Sequence, residues 1–309
     1  MKERQRYPSG PRTIALAGGK GGVGKTFISA NLAVAIAESG LRVVAIDTDL
    51  EGANLHTWLG VRESSNTLAD FVSVREESLE SLLVGTDFEN LRLIPATQGH
   101  LTHAQPGSER RGKLLKAVQN LDCDLVILDC GAGTHASNVD YFSVSDVAIL
   151  VIQPEPTSME NAYNFLRSAI FRKMELAMLK PEVQACVREA MDQRNDLGVR
   201  TPANLHPLVR SIDPQEARRF NKVLRDFSPR IIINDVLTAE DVRLGFSIGE
   251  VCKRFFGVDA DYLGYINNDE KVRQALRKGA PIVASMPEAD ASIYLNRVAR
   301  KLLKQIEWR

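Results

Sequence analysis

The sequence has no paired cysteines, no long apolar run and no excess of charge of either sign. Its four cysteines, Cys123, Cys130, Cys186 and Cys252, are scattered and none forms C-x-x-C. That argues against a zinc site or a thioredoxin-like redox centre and suits a reducing cytoplasm. No stretch approaches the roughly 20 apolar residues of a membrane span. The charged start, Met1–Arg12, has no apolar region behind it that could act as a signal peptide, and it reads as a short flexible lead-in. Lysine plus arginine number 39, as do aspartate plus glutamate. Whole-chain electrostatics therefore favour neither nucleic acid nor an anionic membrane as a general partner. There is no internal repeat and no low-complexity segment.

What is present is a succession of short aliphatic, β-branched runs with helical patterns between them. Strands are expected near Thr13–Ala17, Arg42–Ile46, Leu91–Ile94, Leu125–Asp129, Val147–Ile152, Ile231–Asn234, Tyr262–Ile266 and Ile282–Ala284. Most are continuous rather than alternating, the mark of strands buried on both faces. Strand–helix alternation implies an α/β fold with a doubly wound, mostly parallel sheet flanked by helices. Asp213-Pro214-Gln215-Glu216 carries a capping aspartate, a first-turn proline and a glutamate, and Thr238–Asp241 is a weaker version of the same helix start. The segment 177–229 differs. It is rich in charge, with helical periodicity around Pro181–Arg194 and Pro214–Phe227 and a loop-like stretch, Asn195–His206, between them. It reads as a surface helical insertion in one domain spanning 13–309.

Gly19-Lys20-Gly21-Gly22-Val23-Gly24-Lys25-Thr26 matches G-x-x-x-x-G-K-[ST] between the first strand and an apolar helical pattern, Ile28–Ala37. That context is the one a phosphate-binding loop requires. Glycines let backbone N–H groups turn towards phosphate oxygens, and the helix N-terminus adds partial positive charge. Lys25 is expected at the β- and γ-phosphates and Thr26 at Mg²⁺. Two further strands end in carboxylates, Asp47 with Asp49 and Asp129. Strand C-termini are where ligands sit in open α/β sheets. Carboxylates there can orient Mg²⁺ through water or position an attacking water.

Lys20–Thr26 resembles the deviant Walker A loop of the MinD/ParA family, marked by the extra lysine Lys20, and the resemblance runs from about Thr13 to about Leu303 apart from the insertion. It implies an ATPase using ATP/ADP and Mg²⁺, in which two subunits sandwich two ATP molecules. Lys20 would then reach the partner's phosphates, Asp49 would position water, and Asp47 and Asp129 would belong to the magnesium shell. Pro154–Ser158 with Ala162-Tyr163, and Asp129–Gly133, resemble the FlhG/FleN flagellar-number branch. The same resemblance places a γ-phosphate-sensing switch at Asp129–Gly133, adenine reading at Asn234, and a base-covering loop at Pro287-Glu288. Gly21, Gly22, Val23, Gly24, Lys25, Thr26 and Phe27 would line the nucleotide.

The chain departs from the family at three places. Phe27 stands where a Ser or Thr usually meets the α-phosphate, so binding is weaker there or the ring packs inward. Met1–Arg12 shows no glutamine-containing activation helix, which puts control of a partner GTPase in doubt. The insertion is longer than the corresponding link in MinD, and its length and charge suggest either partner docking or a solvated arm. At the C-terminus, Leu295, Val298, Ala299, Leu302 and Ile306 recur at helical spacing against basic residues, with Trp308 near the end. Core packing is the expected role, with weak anionic-membrane contact as the alternative. The expected function is an ATP-dependent dimerising switch that positions or regulates a flagellar or other polar assembly. An unidentified protein cargo or activator would be its partner, and it would be cytoplasmic or peripheral at the inner membrane or cell pole. Competing readings are a DNA-binding partition ATPase, which the acidic residues among the arginines of Arg210–Arg230 disfavour, and an iron–sulfur carrier, which lacks its cysteine pair.

Overall fold

The computed structural model describes residues 10–61, 66–73, 78–96, 107–192 and 194–306. Most of the expected lead-in, residues 1–9, lies outside them, and so do Trp308 and Arg309. Arg12 already belongs to the first strand.

Strands β1 (Arg12–Gly18), β2 (Val43–Asp47), β3 (Val84–Gly85), β4 (Leu91–Ile94), β5 (Leu125–Ala132), β6 (Val147–Ile152), β7 (Arg230–Val236) and β8 (Asp261–Asn267) form one sheet. Its order is β3-β4-β2-β5-β1-β6-β7-β8. All neighbours pair in parallel except β3 with β4. The longer helices are α1 (Lys25–Ala37), α2 (Ser108–Val118), α3 (Ala136–Val144), α4 (Pro156–Ala177), α5 (Pro181–Met191), α6 (Pro202–Ile212), α7 (Pro214–Asp226), α8 (Ala239–Val251) and α9 (Asp290–Ile306).

The continuous apolar runs divide their side chains between two cores. In β1, Ala15 and Ala17 face one cluster while Ile14 and Leu16 face the other, and β5 splits Val126 and Leu128 from Leu125 and Ile127 in the same way. Helices α3 and α4 cover the first face, with Phe142, Phe165 and Phe171 fully buried. Helices α1 and α9 cover the second, through Ile28, Leu32, Leu295, Val298 and Leu302. The apolar stripe of α9 is thus spent on the core, as the periodic burial of a one-sided helix requires. Among the described residues, no helix is long and apolar enough to cross a membrane.

Helices α5–α7 occupy most of 177–229. They place Val183, Val187, Leu205, Val209, Ala217 and Phe220, each at most 4% exposed, in the first cluster. A solvated arm would leave these residues wet, so the charge-rich segment completes one face of the core. The stretch expected as a loop, Asn195–His206, contains the start of α6, with Pro202 in its first turn and a Thr201–Asn204 capping box. Pro207 inside the helix masks its helical signal, because proline donates no intrahelical bond.

The expected strand at Ile282–Ala284 is instead a short helix, Ile282–Ser285. A brief aliphatic run does not distinguish a buried strand from a buried helix. Here Pro281 precedes the first turn, Ile282 is fully buried, and the Val283 N–H donates to Asn31 Oδ1 of α1 at 3.1 Å. Both helix starts read from the sequence form: Asp213 accepts from the N–H groups of Gln215 and Glu216, and Thr238 pairs with Asp241 in a complete capping box.

Candidate functional site

β1 lies at the point where the chain changes direction along the sheet, with β5 on one side and β6 on the other. A crevice opens there at the strand C-termini, the usual ligand position in such sheets. The loop Gly19–Gly24 follows β1 there and leads directly into α1. Gly24 takes a left-handed φ of +94°, and a Cβ there would come within 2.2 Å of Asn234 Nδ2. Only glycine satisfies both constraints. Nothing lies within 4 Å of the position a Cβ on Gly22 would take, and Gly21 and Gly22 are exposed, so this part of the loop is an open cradle. Val23 is fully buried and anchors the loop to the core. Lys25, the first residue of α1, is only 7% exposed.

Asp129 and Asp47 lie side by side on β5 and β2, and both are buried. The Asp129 carboxylate accepts a hydrogen bond from Ser29 Oγ at 2.8 Å, and the Thr26 side chain is close enough to favour its charged form. Burial, above all, pushes both carboxyls above the ordinary carboxylate range. The two are also close enough to repel each other. Two buried acids next to a buried lysine and a threonine hydroxyl are a donor set that fits a magnesium-bound polyphosphate. Asp47 has a second task. Its Oδ1 accepts from Asp49 N at 3.0 Å, and its Oδ2 from Asn54 N and Leu55 N at 3.0 and 3.1 Å. It therefore holds the whole 48–55 loop that carries Asp49.

Asp49 is half-buried, and its Oδ1 accepts from the N–H groups of Glu51 and Gly52. It borders a cleft of about 290 Å³ together with Thr48, Gly131, Ala132, His135 and Asn138. The far wall of that cleft is the segment after Asp129. It is tied down by Asn138 Nδ2, which donates to Ala132 O and Gly133 O, and by the Gly133 N–H, which donates to Gly18 O.

Phe27 turns away from the cradle. It is 6% exposed, and its ring packs on Trp58 with centroids 5.2 Å apart. Its side chain is therefore no part of the cradle. Asn234 is buried and donates from Nδ2 to Val23 O at 3.0 Å. Pro287 and Glu288 are exposed, just beyond the Ile282–Ser285 helix. Lys20 stands apart from the cradle, with Nζ 3.2 Å from Glu155 Oε2.

Residues 11–179 match the AAA domain family AAA_31, more than half of the chain. The antiactivator FleN of Pseudomonas aeruginosa is 29% identical over 94% of this chain and 86% of its own length. The flagellum site-determining protein YlxH of Helicobacter pylori is 31% identical over 54% of this chain and 56% of its own. Among solved structures, the septum site-determining protein MinD of Pyrococcus horikoshii, complexed with Mg-ADP, superposes with a TM-score of 0.62 at 21% identity, covering 96% of this chain and 98% of that one. The chain belongs to this family and is a MinD/ParA-type ATPase.

Within that family frame, several supporting residues escaped the sequence reading. Ser29 bonds Asp129 from one turn beyond Thr26, a helical spacing that the loop motif does not include. Thr48 ties β2 to β5 through Asp129 O at 2.9 Å. Asn138 braces the segment after Asp129 from α3. No motif signals either role: the Thr48 contact crosses from β2 to β5, and the Asn138 contact is a local bond from α3 to the turn before it. Cys130, next to Asp129, is fully buried, and burial pushes its thiol far above the ordinary range. It behaves as a small core residue.

Proposed function

We propose that this MinD/ParA-type ATPase is an ATP-dependent homodimeric switch that positions or regulates a cellular assembly, flagellar by its likeness to FleN and YlxH. The observation that carries the reading is the separation of two lysines on one loop: Lys25 is buried in the cradle, whereas Lys20 stands outside it and 41% exposed. A cation outside its own cradle is available to a second subunit's nucleotide.

In this reading the loop N–H groups and Lys25 hold the phosphates, and Thr26 and Asp129 hold Mg²⁺ with Asp47 behind them. Bound Mg²⁺ supplies charge neutralisation between the phosphates. Asp49 orients a water in line with the γ-phosphorus. As the water oxygen bonds to phosphorus, the bond to the ADP oxygen breaks, and the water proton leaves towards the Asp49 carboxylate and the phosphate oxygens. Lys25 and the partner subunit's Lys20 offset the negative charge that develops. The segment Gly131–Gly133, which abuts both Asp49 and the phosphate loop, responds to the γ-phosphate. Asn234, Pro287 and Glu288 surround the adenine.

The nucleotide can shift the dimer equilibrium only by its differential contacts in the two states. A single subunit lacks one cation of the set, so its turnover is slow and an unidentified activator or cargo accelerates it. The protein works in the cytoplasm or at the periphery of the inner membrane or cell pole. Any membrane contact is weak, because α9 spends its apolar face on the core. Lys20→Ala tests the reading in a phosphate-release assay and in sedimentation with ATP. Loss of both hydrolysis and ATP-dependent dimer is expected, and retention of both would refute the switch.

A further inference from the structure

Gly19 and Lys20 form the limb of the phosphate loop opposite α1, and both rest on the start of α4. A Cβ on Gly19 would come within 2.2 Å of the Asn161 carbonyl group, so only a hydrogen allows this contact. One residue on, Lys20 Nζ lies 3.2 Å from Glu155 Oε2 and 3.4 Å from Thr157 Oγ1. Glu155 occupies the cap position of α4 in an extended conformation, and its side chain makes no capping bond. The carboxylate is therefore left to the lysine. The turn that presents it is fixed from below, where the Gln153 N–H donates to Ser158 Oγ at 3.0 Å and Ser158 is 2% exposed.

We propose that Glu155 is a positioning residue for Lys20: in the single subunit it retains the ammonium on its own chain, and dimer assembly requires that contact to be released. The proposal rests on the reading that Lys20 serves the second subunit's nucleotide. A symmetric dimer releases two such contacts, so the latch enters the dimerisation equilibrium twice. Exposed ion pairs of this kind, with side chains 41% and 53% accessible, are individually weak. Each changes an equilibrium by roughly 1.4- to fivefold, which compounds to about 2- to 30-fold for the dimer. That range suits a switch, because the latch discourages assembly without nucleotide yet yields to the stronger attraction of a polyphosphate. The weakness also makes it sensitive to salt, since exposed charges are screened within about 10 Å at 0.1 M.

The test is sedimentation of the full chain with Mg-ATP in an Asp49→Ala background, which stops hydrolysis. Glu155→Gln should tighten the dimer by about 2- to 30-fold, leave ADP affinity of the monomer unchanged, and make assembly more steeply weakened by salt, because Lys20 then gains a charge partner on assembly without giving one up. Thr157→Val, which removes the weaker contact, should act in the same direction to a smaller extent. In a Lys20→Gln background, where the dimer is weakened, Glu155→Gln should bring no recovery, because there is no cation to retain. An unchanged or weakened dimer for Glu155→Gln, or recovery of the dimer in the Lys20→Gln background, overturns the latch. If Lys20→Gln alone leaves dimerisation and hydrolysis intact, the cross-subunit reading itself fails. If Lys20→Gln is defective while Glu155→Gln is neutral, only the latch fails.

Discussion

Asn234, on β7, donates from Nδ2 to the carbonyl of Val23 in the phosphate loop, 3.0 Å away and 211 residues apart in sequence. A Cβ on Gly24 would crowd this amide to within 2.2 Å. The far side of the sheet therefore props the loop in its open shape, and Asn234 is a structural strut as well as the candidate base-reading residue.

The strut role separates from base reading by nucleotide specificity. Removing a donor from a buried carbonyl costs about 1–3 kcal/mol. Asn234→Ala should lower stability in urea unfolding by that amount and weaken ADP and GDP binding in parallel. A loss confined to ADP would mean that the amide reads the base and leaves the loop alone.

Phe27, at a position proposed to border the nucleotide, is a core residue. Truncating a buried phenylalanine costs about 3–5 kcal/mol, and the ring also loses its partner Trp58. Phe27→Ser should therefore destabilise by about 3–5 kcal/mol, while one new hydrogen bond to a charged phosphate gains roughly 10- to 150-fold in affinity. Calorimetric titration with ADP alongside thermal unfolding measures both. A stable, tighter-binding variant would show that the ring is not packed as described.

Asp49 is held in place by the N–H groups of Glu51 and Gly52 on its own loop. Asp49→Ala should reduce phosphate release by roughly 10²–10⁴-fold, the usual contribution of a positioned acid or base. ATP-dependent dimer should survive, because the phosphate loop is untouched. Equal loss of nucleotide binding would place Asp49 among the binding residues instead.

Phe220 reports on the role of 177–229. It is fully buried on α7, against the same cluster as the strands. Phe220→Ala should cost about 3–5 kcal/mol in chemical denaturation. A change below about 1 kcal/mol, the level of an ordinary surface substitution, would restore the picture of a detachable arm.

The thiols offer a test of burial that is independent of activity. Burial raises the thiol pKa of all four cysteines, but Cys123, Cys130 and Cys252 are buried whereas Cys186 is half-buried and accessible to reagent. Since the thiolate is the reactive form, iodoacetamide at neutral pH should label Cys186 first and the others only on unfolding. Early labelling of Cys130, read by peptide mass spectrometry, would mean that the segment beside Asp129 opens in the native protein.

Sequence alone determined the class of the sheet and marked the loop and the carboxylates of the candidate site. Both depend on local pattern: a glycine-rich loop between a strand and a helix, carboxylates at strand ends, and apolar runs continuous enough to be buried on two faces. It could not assign Ile282–Ala284, since a short aliphatic run suits a buried helix as well as a strand, and Asn31 of α1 supplies a bond that no local pattern reveals. Nor could it show that the charged segment 177–229 belongs to the core, because the few apolar residues that decide this are outnumbered by solvated ones. The tertiary structure alone decided which groups meet across the sheet: Asn234 with Val23, Ser29 with Asp129, Asp47 with the loop carrying Asp49. For the loop itself, sequence supplied two lysines and the fold separated them. The buried start of α1 keeps Lys25 in the cradle, while the cap of α4 brings a carboxylate to Lys20 from 135 residues away.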